Sequence, residues 1–292
     1  MERLRVSSSF NVSDCCALLG FTKQAYYKHR LHREKKCLEE EVLLREVLTI
    51  RQSLPVLGGR KLYELLNRRL PDSLLPGRDK FFDFLRSQGL LIRKHREYRP
   101  ITTVSWHHFH KYPNLWRGRI PDGPNQVWVS DITYIRIEDG TFLYLSLITD
   151  VYSHKIVGWF LSESLSMEGP LNALRMALEE LPEGHQLIHH SDRGVQYCSN
   201  AYVELLQKNG IQVSMIENGD PRENAVAERV NGILKEEWFN REVICSLEKG
   251  RERTGEIIRI YNEMRPHMSN DYLTPQQAHQ QNGTLRRRWK TY

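Results

Sequence analysis

The sequence predicts an α/β protein, with a mixed five-stranded sheet carrying helices on both faces, preceded by an all-α region that opens with a helix-turn-helix. Three observations carry this prediction. Hydrophobic periodicity is helical up to about residue 92 and turns to strand-like alternation at Gln126. Between the two regimes Pro100, Pro113, Pro121 and Pro124 punctuate the chain. Charge divides in the same way: residues 1–120 hold 24 Lys and Arg against 12 Asp and Glu, which leaves 18 against 24 for the remainder of the chain's 42 and 36.

In the first segment, 1–33, "VSDCCALLGFTKQAYYKHR" reads as a short helix with Ser13 as N-cap, a turn at Gly20 and a second helix capped by Thr22. The second helix of such a motif enters the major groove of DNA, so Lys23, Gln24, Lys28 and Arg30 are candidate DNA contacts. Residues 38–92 read as a second helical DNA-binding region, built from "CLEEEVLLREVLTIRQSL", "GGRKLYELLNRRL" and "GRDKFFDFLRSQGLL", with Gly89 as a stop. Leu62, Leu65 and Leu66 recur at helical spacing and turn Arg60 and Lys61 outward, adding them to the candidates. A plain three-helix bundle with a solvated basic face is the alternative. "IRKHREYRP" then begins a basic linker over 93–124.

Residues 125–245 form the predicted core. "QVWVSDITYIRIE" alternates and is rich in strand-forming residues, and the "DG" at 139–140 supplies a hairpin turn into "TFLYLSLITD". A third strand, "HKIVGWFLSE", follows a turn at Tyr152 and Ser153. Then come a helix over "SMEGPLNALRMALEEL", the apolar "HQLIHHSD", a helix around "NAYVELLQKNG" and the strand "IQVSMI". Three antiparallel strands followed by helix, strand, helix, strand resemble the ribonuclease H fold. Residues 246–292 remain as a C-terminal helical and basic tail.

Composition narrows the class. No run approaches the roughly 18 apolar residues of a membrane span, and "MERLRVSSSFNVSDCC" lacks the apolar centre of a secretory signal, so a cytoplasmic protein with no membrane partner is expected. Five cysteines without a Cys-x-x-Cys pair argue against a disulfide framework and against zinc, even with His107 and His110 three apart. A basic half beside an acidic half suggests that the first meets a polyanion.

Three carboxylates then stand out. Asp131 interrupts a strand otherwise built for burial, where a carboxylate is costly unless something such as a metal ion compensates it. Asp192 ends the fourth strand, at the carboxyl end where sites in crossover-connected sheets lie. Glu228 shares one face of a helix with Asn224, Asn231 and Lys235, at spacings of four, three and four. The 35 residues between Asp192 and Glu228 are the length of one crossover that returns beside the strand and sends a helix back over its end. Three hard oxygen ligands suit Mg²⁺ or Mn²⁺, and two such ions at one site support in-line displacement at phosphorus.

"WVSDITYI", "HHSDRGVQY" and the acid 35 residues later resemble the DDE transposases of bacterial insertion sequences, which share the retroviral integrase core and are made from the second reading frame. "YNEMRPHMSNDYLTPQQAH" is similar to the segment that follows this core in the same family, and the start of the chain to its amino-terminal part. The resemblance implies that Asp131, Asp192 and Glu228 are catalytic and bind two Mg²⁺ ions, and that Lys235 contacts DNA near the cleaved phosphate. Ser191, Arg193, Gly194 and Asn224 match motif positions, and Arg193, Asn224 and Asn231 complete the candidate DNA contacts. It further implies double-stranded DNA as partner, both terminal inverted repeats and target, a homo-oligomer on DNA, an upstream-frame partner protein, and a place on the bacterial nucleoid when DNA is bound. Glu223 and Arg229 depart from many relatives, which have Asp and Ser there. Two rivals stay open: a DNA-binding regulator that keeps the fold without turnover, and a ribonuclease H-like nuclease that cuts without joining.

Overall fold

The computed structural model describes residues 11–71, 73–92, 108–117, 119–217, 221–286 and 288. The start of the linker, "IRKHREYRP" from Arg93 onward, together with His107, lies outside them.

The chain begins with α1 (Val12–Leu18), a turn at Gly20, and α2 (Lys23–Ser53). Gly20 sits at φ +71°, the left-handed region where glycine ends a helix without strain. Thr22 caps α2 as expected, its Oγ1 accepting from Ala25 N at 3.1 Å. The cap of α1 is Asn11 rather than Ser13, because Asn11 Oδ1 accepts from Asp14 N three residues on, at 3.0 Å, which puts Ser13 inside the first turn.

No break separates residues 33 and 38. α2 runs unbroken for 31 residues, since "REKKCLEEE" has no Gly or Pro and Lys35 and Lys36 pair with Glu39 and Glu40 one turn on. Its last turns bury Leu43, Val47 and Ile50 against α3 (Gly59–Arg69) and α4 (Arg78–Ser87) through Leu62, Leu66, Phe81 and Leu85.

The sheet follows: β1 (Val127–Arg136), β2 (Phe142–Asp150), β3 (Ile156–Ser162), β4 (Ile188–Ser191) and β5 (Gln212–Met215), in the order β3-β2-β1-β4-β5. β1 pairs antiparallel with β2 and parallel with β4, so one strand joins the meander to the crossover half. The β1–β2 turn closes with Gly140 at φ +88° and Asp139 Oδ1 accepting from Thr141 N. One face is covered by α5 (Glu168–Glu179) and α7 (Asn200–Lys208), which follows the single turn α6 (Val195–Cys198). The other carries α8 (Ala225–Glu237) and α9 (Leu247–Met264). At Gly158 a Cβ would stand 2.2 Å from Ala173 O, so glycine lets α5 lie directly on β3.

The helical region and the sheet share one hydrophobic cluster, with Leu54 and Leu57 in the same group as Ile233, Trp238 and Tyr261. Trp238 Nε1 donates to Ser53 O at 3.1 Å across that seam. The described part of the expected linker is packed rather than loose: Leu115 N donates to Ser214 Oγ and Met215 N to Pro113 O, so this segment covers the outer edge of β5. An uncovered edge strand would leave its ladder groups open to other chains. The tail is equally integral. Asn262 bonds both Ile156 N and Ile156 O, and α10 (Pro275–Ala278) starts with a capping box at Thr274.

Candidate active site

Ser130 and Ser191 are the last paired residues of parallel β1 and β4, so Asp131 and Asp192 are the next residues out on neighbouring strands. Asp131 is held at both oxygens, Oδ1 accepting from Ile132 N at 2.9 Å and Oδ2 from Asn231 Nδ2 at 2.7 Å. Burial, and then the charge of Asp192, push its carboxyl up to about 7 despite those bonds, and Glu228 adds to the rise. Asp192 Oδ1 accepts from Gly194 N at 2.9 Å, and a Cβ at Gly194 would come within 2.9 Å of that same oxygen. Glycine therefore lets the loop fold under the carboxylate.

α8 crosses β1 and brings the third acid. Asn224, at its N-terminus, donates to Ser130 O at 3.2 Å, Asn231 reaches Asp131, and Lys235 Nζ stands 3.5 Å over the Tyr134 ring. Glu228 is exposed on the stripe between these anchors. The expected shared face is real, and Asn224 and Asn231 are buried on it, their amide nitrogens bonding Ser130 O and Asp131 Oδ2 on β1. Their spacing located the face, while burial depended on how closely the helix lies on the strand.

Beneath the acids, His189 Nε2 lies 2.6 Å from Ser130 Oγ and 2.9 Å from Tyr202 Oη. Burial drops the His189 imidazole to about 3, so it is a neutral strut under the strand end. Tyr197 is buried beside it, and the charges of Asp131 and Asp192 reach its phenol. Nothing in the pattern marked Tyr134, Tyr197 or Tyr202 apart from other aromatic core residues.

The remaining candidates divide. Lys23, Gln24, Lys28, Arg30 and Arg60 are exposed, and Arg193 is half-buried beside Asp192. Lys61 is not turned outward. It is half-buried among Arg265, Glu237 and Arg229, and burial brings its amine down to about 7. The reason is α3's contact with the far end of α8, which local periodicity does not report. Glu223, a departure from many relatives, joins Glu217 to Arg117: Oε2 accepts from Glu217 N at 2.7 Å and Oε1 from Arg117 Nη2 at 2.6 Å.

Among the described residues no group of three His, Cys, Asp or Glu is drawn together closely enough to hold a metal ion as it stands. The donor chemistry still fits a divalent cation. Asp131 is half-buried in the field of two further carboxylates, and Asn224 Oδ1, Asn231 Oδ1 and Tyr197 Oη are buried without hydrogen-bond partners. Unpaired buried acceptors beside crowded carboxylates are what a hydrated cation satisfies.

Comparison with known proteins identifies the family. Residues 121–221 match the family model described as integrase core domain, and residues 209–275 match a second model of the same description. An uncharacterized 31 kDa protein of insertion element IS600 from Shigella sonnei is 31% identical over 264 residues, 89% of this chain and 95% of that one. Transposase InsF for insertion sequence IS3fB, from Escherichia coli strain K12, is 34% identical over 200 residues, 68% of this chain and 69% of its own. The solved HTLV-2 integrase catalytic core domain in complex with magnesium aligns at 18% identity over 55% of this chain and 99% of its own, with a TM-score of 0.44. With relatives at these identities spanning most of both chains, the chain belongs to the insertion-sequence transposases that carry an integrase core, DDE-type polynucleotidyl transferases.

Proposed function

We propose that Asp131, Asp192 and Glu228 are the catalytic carboxylates of this transposase, and that they hold two Mg²⁺ ions, with Mn²⁺ as substitute. The observation that carries the assignment is the register of parallel β1 and β4, which sets Asp131 and Asp192 side by side just past the Ser130–Ser191 pair, with the helix of Glu228 bonded to β1 through Asn224 and Asn231. The raised Asp131 carboxyl, due first to desolvation and then to Asp192, supports it. Such ions polarise the scissile phosphate and lower the pKa of a bound hydroxyl when present.

The chain's own groups do the rest. Asn231 and Ile132 N fix the Asp131 carboxylate, Gly194 N fixes that of Asp192, and Asn224 and Asn231 tie α8, the helix of Glu228, to β1. Water attacks a phosphodiester at the end of the element, the bond to the 3′ oxygen breaks, and that oxygen leaves as a 3′-hydroxyl. The hydroxyl then attacks a phosphodiester of the target and displaces its 3′ oxygen, so the first step hydrolyses one ester bond to a 5′-phosphate and a 3′-hydroxyl, and the second exchanges one ester bond for another. Lys235, held over Tyr134 two turns beyond Glu228, is proposed to meet the DNA near that phosphate, with Arg193 beside Asp192. The helix-turn-helix, through Lys23, Gln24, Lys28 and Arg30, together with Arg60, reads the terminal inverted repeats. The assembly acts as a homo-oligomer that holds two ends, with an upstream-frame polypeptide as a further partner.

Purified protein with Mg²⁺ and a terminal-repeat duplex should release a 3′-hydroxyl and join it to a second duplex. Asp192→Asn and Glu228→Gln should lose both steps while keeping end binding; full activity in either variant refutes the assignment. Cutting without joining would mark a nuclease instead.

A further inference from the structure

β4 pairs with β1 only from Val127 to Ser130, whereas β1 continues to Arg136. Past Asp131, that side of β1 has no neighbouring strand among the described residues, and the gap opens at the end of β4 that leads into Asp192. Side chains alternate along the strand. Val127, Val129 and Ile135 pack on the side of α8, where Asn231 also bonds Asp131. Trp128 and Ile132 pack on the side of α5 and α7, where Ser130 Oγ meets the His189 ring that Tyr202 also bonds. Tyr134 belongs by alternation to the second set, yet Lys235 Nζ, from α8, stands 3.5 Å over its ring. β2 closes the opposite side of β1 from Trp128 to Arg136, so the two side chains meet around the open edge.

We propose that Tyr134 is the positioning residue for Lys235: its ring draws the ammonium across the open edge of β1 and holds it where the backbone of the strand being cut passes. The proposal rests on the reading of Lys235 as a DNA contact. Tyr134 lies three residues beyond Asp131, about 10 Å along β1. At about 3.4 Å per nucleotide, that distance puts the ammonium within roughly three nucleotides of the phosphate held by the acids. A lysine has a long flexible stem, and fixing its head beforehand removes an ordering cost that DNA binding would otherwise carry. An aromatic face suits that task. It attracts the cation through its quadrupole and brings no counter-charge of its own, so the ammonium still attracts a phosphate. Phe142 packs edge-on against Tyr134, with centroids 5.4 Å apart and planes at 88°, and sets the tilt of the ring. Were the pair only a cover for the sheet edge, its loss would act on stability and not on DNA.

A double-mutant cycle on the full chain, read by affinity for a terminal-repeat duplex in chelator, tests this. Tyr134→Leu should weaken binding about three- to tenfold, the range a half-buried cation over a ring supports, and Tyr134→Phe should stay within about twofold of wild type because the ring remains. In a Lys235→Gln background Tyr134→Leu should cost nothing further. An equal loss in both backgrounds, or a loss in Tyr134→Phe as large as in Tyr134→Leu, overturns the proposal and leaves Tyr134 as packing at the sheet edge. NMR of lysine-labelled protein without DNA separates the proposal from the reading it rests on. The ε-methylene signal of Lys235, identified by its absence in Lys235→Gln, should be shifted upfield by the ring current in wild type and in Tyr134→Phe. It should return to the ordinary lysine position in Tyr134→Leu. An unshifted wild-type signal means that the ring does not hold the lysine, and the proposal fails whatever the binding result. A shifted signal together with wild-type affinity in Lys235→Gln shows that the ring holds the lysine and overturns the DNA reading of Lys235 instead.

Discussion

Asp131→Asn should make the protein more stable while removing its activity, and the size of the gain follows from the site. Each tenfold change in proton affinity is about 1.4 kcal/mol. Holding the carboxyl at about 7 instead of 3.8 therefore costs the metal-free fold roughly 4 kcal/mol once the group is ionised, a ceiling that solvent screening brings toward about 2 kcal/mol. The direction in pH is fixed by the raised value. Between about pH 4 and 7 the native state holds a proton that the unfolded chain has released, so stability falls as pH rises through that window and is level above it. The amide carries no charge and removes the penalty. It also keeps its partners, because Asn231 Oδ1 has none in the wild type and can turn to accept from the new amide while Ile132 N still donates to its oxygen. Thermal unfolding with chelator at about pH 8 should show the variant higher by roughly 4–8 °C, and near pH 5 the gap should shrink to less than half. Adding Mg²⁺ at the higher pH should raise the wild type and leave the variant unmoved. No gain at pH 8, or a gain that persists undiminished in acid, would refute the reasoning that Asp131 is ionised against its surroundings.

Three further outcomes follow from other parts of the fold. Arg265 is buried and bonds Glu237 through Nε and Nη2 at 2.8 and 2.6 Å, so Arg265→Met strands a buried carboxylate and should cost about 3–5 kcal/mol in urea unfolding, most of it recovered by adding Glu237→Leu. Gly158→Ala drives a methyl into Ala173 O and should lower stability by about 1–3 kcal/mol in the same assay, with no change if α5 can slide. Binding to a terminal-repeat duplex should weaken steeply with salt, and replacing Lys23, Lys28 and Arg30 by alanine should reduce the log–log slope by about three if each meets a phosphate.

The order of elements was legible because period and turn chemistry are local. The switch to alternation at Gln126, the Asp139-Gly140 turn and the 35-residue interval before Glu228 each reflect backbone geometry within a few dozen residues. Asp131 stood out because a charge inside a strand built for burial contradicts its surroundings. The interior of α8 was half legible. Spacing put Asn224, Glu228, Asn231 and Lys235 on one face, but burial of the two asparagines on β1 depends on a strand about a hundred residues earlier.

Sequence alone determined which residues carry charge, the order of strands and helices in the core, and that three hard oxygen donors were available at crossover spacing. Tertiary structure decided the rest. It turned Lys61 inward toward Glu237 and Arg265, made α2 one helix docked at its far end through Trp238 and Ser53, and used residues 108–117 to close the β5 edge. The physical reason is that periodicity says which side of an element is apolar, whereas desolvation, ion pairing and edge coverage depend on the segment that arrives opposite. Here that segment is often more than a hundred residues away.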